Sequence, residues 1–387
     1  MHARPLGRPV GAVLCLAFPA LAAAQVPNIR VSGRVQAHYR AAGGDASGVF
    51  DPDAVTNAFE IRRLRIQTDV RFGDAITLVI QPSFEMAALR MRDAYLRVGL
   101  APRLGMTMGQ EKSPFQRYEL TSSNALASIE RGVRILGLSG REGLNDLLVD
   151  NGYASHDLGA FLDYTAPNGR VTAKLGMQNG SRESTRDVNN AKSVFARVTA
   201  VALTNADDQP LLQLGASFAA RDRAICSTCT GAIAYYADSS KTTTAVGLDL
   251  EWGGFRPGWH VIADFATGDN VQRASRVATA RNTGNLRDGA DTNVVTFVGV
   301  HVVGAYRLRT RGSDARTVQF VEPALRLDWT DPDVDSADDE GLLLTPALNV
   351  YFASTVVLRV AFDWYRYRDA GTSRTAREFK MSWQANF

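Results

Sequence analysis

Arginines recur at alternate positions in the first half of the chain, most densely in EIRRLRIQTDVRFGD, residues 60–74. Arg63, Arg65, Gln67, Asp69 and Arg71 make one alternate set, and Leu64, Ile66, Thr68, Val70 and Phe72 make the other. A guanidinium is a planar fork that stays charged and pairs with carboxylate or phosphate oxygens. A row of them on one side of a strand could bind or steer oxyanions. Of the 43 basic residues only five are lysine, at 112, 174, 192, 241 and 380. Arginine-rich codon bias explains that preference as readily as function does.

Other chemistries find less support. The histidines outside the N-terminal segment, His38, His156, His260 and His301, are scattered, with no H-E-x-x-H or Ser/His/Asp grouping. Cys226 and Cys229 form a lone C-x-x-C with no second pair or nearby histidine. A local disulfide suits it better than zinc. Asp331, Asp333 and Asp335 have the spacing of a calcium loop, but Ser336 stands where an EF-hand turn needs glycine. A solvated acidic loop is the default reading there. No metal, cofactor or catalytic residue is expected.

The elements that must carry the arginines follow from the hydropathy pattern. Residues 1–24 read as a signal peptide: Arg4 and Arg8 precede the apolar run VGAVLCLAF, and small residues surround a cleavage site after Ala24. Leu14 is too bulky before Cys15 for a lipoprotein signal. Residues 25–387 then form one domain without an apolar run of 18 or more. Losing Arg4 and Arg8 removes two of the 43 basic residues and none of the 40 acidic ones, so this domain is within one charge of neutral. A nucleic-acid partner is excluded by that balance.

Period-2 alternation runs from residue 29 to 387 in sixteen strand-like segments. Short turns near 73, 102, 167, 207, 255, 312 and 354 alternate with longer connections, of which 111–156 is the longest. Short turns on one side and long loops on the other mark an outer-membrane barrel. The fold expected is therefore all-β, a transmembrane antiparallel β-barrel of about 16 strands, wide enough for an aqueous channel. The last strand, REFKMSWQANF, sets Phe379, Met381, Trp383, Ala385 and Phe387 against Glu378, Lys380, Ser382, Gln384 and Asn386. Its terminal aromatic resembles the signal that the barrel-assembly machinery reads in outer-membrane proteins.

In such a barrel the apolar set meets lipid and the arginine set meets water. The reverse would place each arginine in lipid at roughly 2–4 kcal/mol near the midplane. Arg62 falls on the apolar set and is expected to snorkel to lipid headgroup phosphates. Strict alternation turns Arg30, Arg34, Arg63, Arg65, Arg71 and Arg97 into the lumen. The acids Glu85, Asp93, Asp163, Asp249, Glu251, Asp264, Asp328 and Asp363 join them, with Arg326 and Arg359 expected to pair among those acids.

Residues 109–131, GQEKSPFQRYELTSSNALASIER, together with FEIRRLRI, RDAYLRV and the final Phe387, resemble the phosphate-selective porin O and P family of Gram-negative outer membranes. The matching positions are Gly109, Gln110, Lys112, Pro114, Phe115, Thr121, Ser122, Ser123, Glu130 and Arg131. The resemblance implies that 111–156 folds back into the barrel as a constriction loop. RGVRILGLSG at 131–140 then belongs to that loop rather than to a seventeenth strand. It also implies an arginine ladder, supplemented by Lys112, Arg117 and Arg131 on the loop, and a homotrimer. The function that follows is an outer-membrane diffusion channel favouring small anions such as phosphate. A general porin with a mixed-charge lumen and a barrel enzyme or adhesin are the alternatives. Lipid and lipopolysaccharide are the expected surroundings.

Overall fold

A computed structural model describes residues 26–44, 56–86, 88–138, 143–181, 183, 187, 190, 192–226, 239–254, 256–271, 286–287, 294–310, 317–352, 355–369 and 372–387. The strands are β1 (Asn28–Gly44), β2 (Asn57–Phe72), β3 (Ile76–Glu85), β4 (Ala88–Ala101), β5 (Leu104–Lys112), β6 (His156–Thr165), β7 (Val171–Gln178) and β8 (Ser193–Thr204). They continue as β9 (Pro210–Cys226), β10 (Ser239–Trp252), β11 (Gly258–Asn270), a two-residue β12 (Leu286–Arg287), β13 (Val295–Arg309), β14 (Phe320–Asp331), β15 (Gly341–Tyr351), β16 (Val356–Asp369) and β17 (Thr372–Asn386). β12 lies parallel beside the end of β9. The other sixteen strands pair antiparallel with their neighbours, and β17 pairs with β1 to close the barrel. Each of the sixteen expected segments coincides with one of them. The Cys226–Cys229 disulfide expectation falls outside the described residues, and so does the signal peptide.

Closure is completed by backbone bonds in both directions between Gly33 and Phe387, 2.8 and 3.0 Å long. Among the described residues the sixteen-strand barrel has no open edge, as hydrocarbon requires. Along β17 the lumen side is buried at Glu378, Lys380, Ser382 and Gln384, while Phe379 and Trp383 are exposed on the outer face. Aromatic pairs occur near both rims. Trp259 and Tyr306 lie 5.0 Å apart, and Phe352 and Trp383 5.9 Å apart, at the short-turn side; Tyr39 and Phe59 lie 4.7 Å apart at the other. Such girdles belong at the two lipid–water interfaces.

Two of the bulges that break the alternation fall at arginines. Gln36 pairs with Arg63 but Ala37 pairs with Ile61, which leaves Arg62 as an extra residue in β2. Likewise Gln81 pairs with Asp93 and Pro82 with Met91, leaving Arg92 extra in β4. Pro82 has no N–H to give to the ladder, which favours a bulge at that place. A bulge re-aims a side chain, and each of these turns an additional arginine into the lumen.

The connection from β5 to β6 folds into the barrel and carries two short helices, α1 (Arg117–Leu120) and α2 (Leu144–Asp150). The RGVRIL stretch runs through it without a strand. Phe115, Leu144, Leu147, Leu148 and Tyr153 pack with Phe161, Phe195, Ala219, Ala245, Ala266 and Phe297 of the inner wall. Further along, Tyr118 and Leu126 meet Ile262, Val303 and Ala305, and Val133 and Ile135 meet Leu343, Tyr365 and Tyr367. The wall makes room with small residues: a methyl group at Gly247 would lie 3.1 Å from the Phe115 ring, and one at Gly299 would lie 2.8 Å from Leu144. Fully burying each large apolar side chain contributes about 1.5–3 kcal/mol. The lumen is thus partly filled by an apolar core, which a uniformly polar interior did not anticipate.

Candidate pore constriction

The infolded segment packs mainly on the β8–β17 side, and the open lumen runs along β1 to β8. Four connected spaces mark it. A vestibule of about 720 Å³ on the long-loop side reaches Arg40, Arg62 and Arg92. It leads to a waist of about 150 Å³. Below that is a chamber of about 470 Å³, and then a mouth of about 850 Å³ among the short turns. The waist shares Arg62, Glu85 and Arg92 with the vestibule and Arg65, Lys112, Arg131 and His156 with the chamber. Chamber and mouth share Arg97, Asp163 and Thr165.

Four cations of the waist come from the wall strands, Arg62, Arg63, Arg65 and Arg92. Three more, Lys112, Arg131 and Arg134, come from the end of β5 and the infolded segment. Against these seven stand three carboxylates, Glu85, Glu119 and Glu130. Glu130 accepts from Arg62 at 2.5 Å and from Arg63 at 2.8 Å. Glu85 takes Arg65 at 2.5 Å and also Arg92. Glu119 lies 3.2 Å from Lys112 and 3.6 Å from Arg131. Each acid is therefore covered by two cations, and positive charge remains in excess.

The segment's own acids show how strongly that field acts. Burial raises the Glu119 pKa, but Lys112 and Arg131 outweigh it and hold the carboxyl down at about 2. Glu130 behaves likewise: burial opposes ionisation, and Arg63 and Arg62 nevertheless keep it well below the usual carboxylate range. Asp146 goes the other way, pushed up by burial despite Arg134 and the N–H groups of Val133 and Gly143.

The residues singled out by alternation are distributed along this path. Arg63, Arg65, Lys112 and Arg131 meet at the waist. Arg34 lines the chamber, Arg97 lines the chamber and mouth, and Arg71 the mouth. Arg30 is exposed and stands opposite Asp69. Arg117 departs from the group: it pairs with Glu251 of β10 at 2.5 Å and lines none of the four spaces. Arg62 corrects an expectation. It does not reach lipid headgroups but binds Glu130 through two hydrogen bonds, because the bulge turns it inward. The expected acid partner is found for Arg326, 2.7 Å from Asp328, whereas Arg359 bonds to Gln384 and the Asn124 carbonyl. Arg62 and Arg92 were missed as pore residues, although an Arg-Arg doublet in a strand and Pro82 in the neighbouring strand both signal a broken alternation.

The family model of phosphate-selective porin O and P matches residues 29–374, nearly the whole chain. The chain belongs to that family. The porin also shares its fold with solved outer-membrane channels. The channel DcaP of Acinetobacter baumannii aligns with TM-score 0.58 at 14% identity, covering 93% of this chain and 97% of that one. An anion-selective porin from Comamonas acidovorans aligns with TM-score 0.57 at 11% identity, covering 94% and 100%. OmpT of Vibrio cholerae gives TM-score 0.54 at 12% identity over 93% and 98%. Among curated proteins, none matches the sequence. The porin is thus an outer-membrane channel and not an enzyme.

Proposed function

We propose that this porin prefers small anions and that the waist selects them. The observation that carries the reading is the surplus of cations there, seven against three carboxylates in the smallest of the four spaces. A narrow, low-dielectric passage lined by one sign of charge concentrates the opposite ion and substitutes for part of its hydration. Because each acid of the waist is already bridged by arginine or lysine, an entering anion meets shared guanidinium groups rather than vacant ones. Binding at each step is then weak enough for release, which transport requires. Phosphate is the candidate oxyanion, since arginine forks match its oxygens. Arg34, Arg97 and Arg71 would continue the path to the periplasmic mouth.

The Comamonas acidovorans porin, described as anion-selective, is a precedent for this function on the same fold. A trimer form is recorded for the Vibrio cholerae protein, and we extend a homotrimer to this porin on that basis. Phe387, seated against Gly33, is the element the barrel-assembly machinery would read. Lipopolysaccharide would surround the long-loop side.

The test is the zero-current potential of the purified porin in a planar bilayer under a tenfold potassium chloride gradient, followed by phosphate titration on one side. An anion-selective sign with chloride current blocked by phosphate is expected. A cation-selective or unselective potential would mean that Glu85, Glu119 and Glu130 dominate, and the porin would be a general one. Anion selectivity without phosphate block would remove phosphate alone.

A further inference from the structure

We infer that the chamber below the waist is a binding site for small zwitterionic anions, molecules with a carboxylate or phosphate a few bonds from an ammonium. This rests on the anion-preferring waist, which admits such solutes. What separates the chamber from the waist is how its charges are arranged. At the waist every carboxylate is bridged by two cations and nearly hidden, with Glu85 and Glu130 side chains each 6% exposed. In the chamber fewer of the charges are bridged.

One arc of the chamber, from β1, carries Arg34. It is 7% exposed, donates from Nη1 to Ser122 at 3.1 Å, and has no partner for its Nε. Neither it nor the exposed Arg97 has a carboxylate in ion-pairing range among the described residues. Strands β4 to β6 carry Asp93, Glu111 and Asp163 together with Arg97 and Lys112. These three acids have one lysine between them: Lys174 lies 2.6 Å from Glu111 and 3.5 Å from Asp163. Asp93 has only His156, at 3.4 Å, and its side chain is 25% exposed.

This space of about 470 Å³ therefore offers both signs of charge to one small solute: Arg34 and Arg97 without an acid partner among the described residues, and Asp93, Glu111 and Asp163 sharing a single lysine. Inorganic anions can use only the cations. A solute with an ammonium as well can set its anionic group on the arginines and its ammonium on the carboxylates, gaining charge-assisted bonds on both.

Charge-matched blockers test this. L-glutamate and monomethyl glutarate have similar size and one net negative charge at neutral pH; glutamate adds an ammonium and a second carboxylate, and variants at the acids of the chamber report on the ammonium. Each is titrated against chloride current in the planar bilayer. Glutamate is expected to half-block at a concentration at least about tenfold lower, the effect of one added charge-assisted bond. Glu111→Gln and, independently, Asp93→Asn should remove most of that advantage; Asp93 holds no lysine, so this second variant carries the test if the first does not insert. Equal block by the two compounds in the unmodified porin, or a full difference retained in both variants, would overturn the inference. The zero-current potential separates the two readings. A cation-selective potential with the glutamate advantage intact sinks the waist reading, whereas an anion-selective potential without that advantage sinks the chamber.

Discussion

The two sides of the lumen use the same residue type at the same spacing for different work. On the β1–β7 arc, Arg62, Arg63, Arg65 and Arg92 bridge carboxylates around open space. On the opposite side, Arg326 donates to the carbonyls of Glu130 and Gly132 at 2.9 and 3.2 Å, and Arg359 donates to that of Asn124 at 2.8 Å. Arg221 does the same for Asn151 and Gly180. A guanidinium on the filled side satisfies backbone acceptors that would otherwise be buried without partners. On the open side its charge faces the permeating ion. The difference comes from where the infolded segment lies, not from the arginines themselves.

The comparison breaks most sharply at Arg326. Arg326→Met should leave Asp328 as a buried carboxylate without its guanidinium and strip two carbonyls of the infolded segment. Removing one member of a buried pair costs about 3–5 kcal/mol. The segment should undock, so single-channel conductance in potassium chloride should rise several-fold and selectivity weaken. An unchanged conductance would show that the apolar packing alone holds the segment. Leu148→Ala tests that packing directly: the side chain is fully buried, the cost is about 2–5 kcal/mol, and open-channel noise should increase.

Acid should act next. The Glu119 carboxyl, ordinarily near 4.5, is held at about 2 by Lys112 and Arg131 against burial. A depressed carboxylate contributes docking free energy that is fully present above the ordinary value and disappears as pH falls through the folded one. Single-channel conductance recorded between neutral pH and about 5 should therefore be constant. It should rise as pH falls from about 4.5 towards 2. Glu119→Gln should show the raised conductance already at neutral pH.

These contrasts also show what the sequence makes legible. Strand positions and facing followed from alternation because one face must meet lipid, as in β17. The bulges escaped it: counting by twos through Arg62 or Arg92 reaches the wrong face, since a single extra residue reverses the rest of the strand. The filled side escaped it too. In β13 the inward set Phe297, Gly299, His301, Val303 and Ala305 is apolar apart from His301. A strand apolar on both faces is covered on both, and that run was the available clue to where the segment docks. Pairing across the lumen, such as Arg117 with Glu251, joins residues over a hundred positions apart and leaves no periodic trace.

On the open side the graded effects sharpen the comparison. Glu130→Gln removes the carboxylate shared by Arg62 and Arg63, so the anion-to-cation permeability ratio should increase several-fold while conductance changes little. A fall in that ratio would assign Glu130 to docking rather than to tuning. The smallest effect is expected at the mouth. Arg97 is exposed there, and charges in contact with bulk salt are screened within about 8–10 Å. Arg97→Gln should therefore shift the zero-current potential only slightly in 1 M salt and measurably more at 0.1 M. Arg65→Gln, which acts at the waist and is nearly buried, should keep most of its effect at both concentrations. If both variants respond alike to salt, selection is spread along the whole arginine path and the waist has no special part in it.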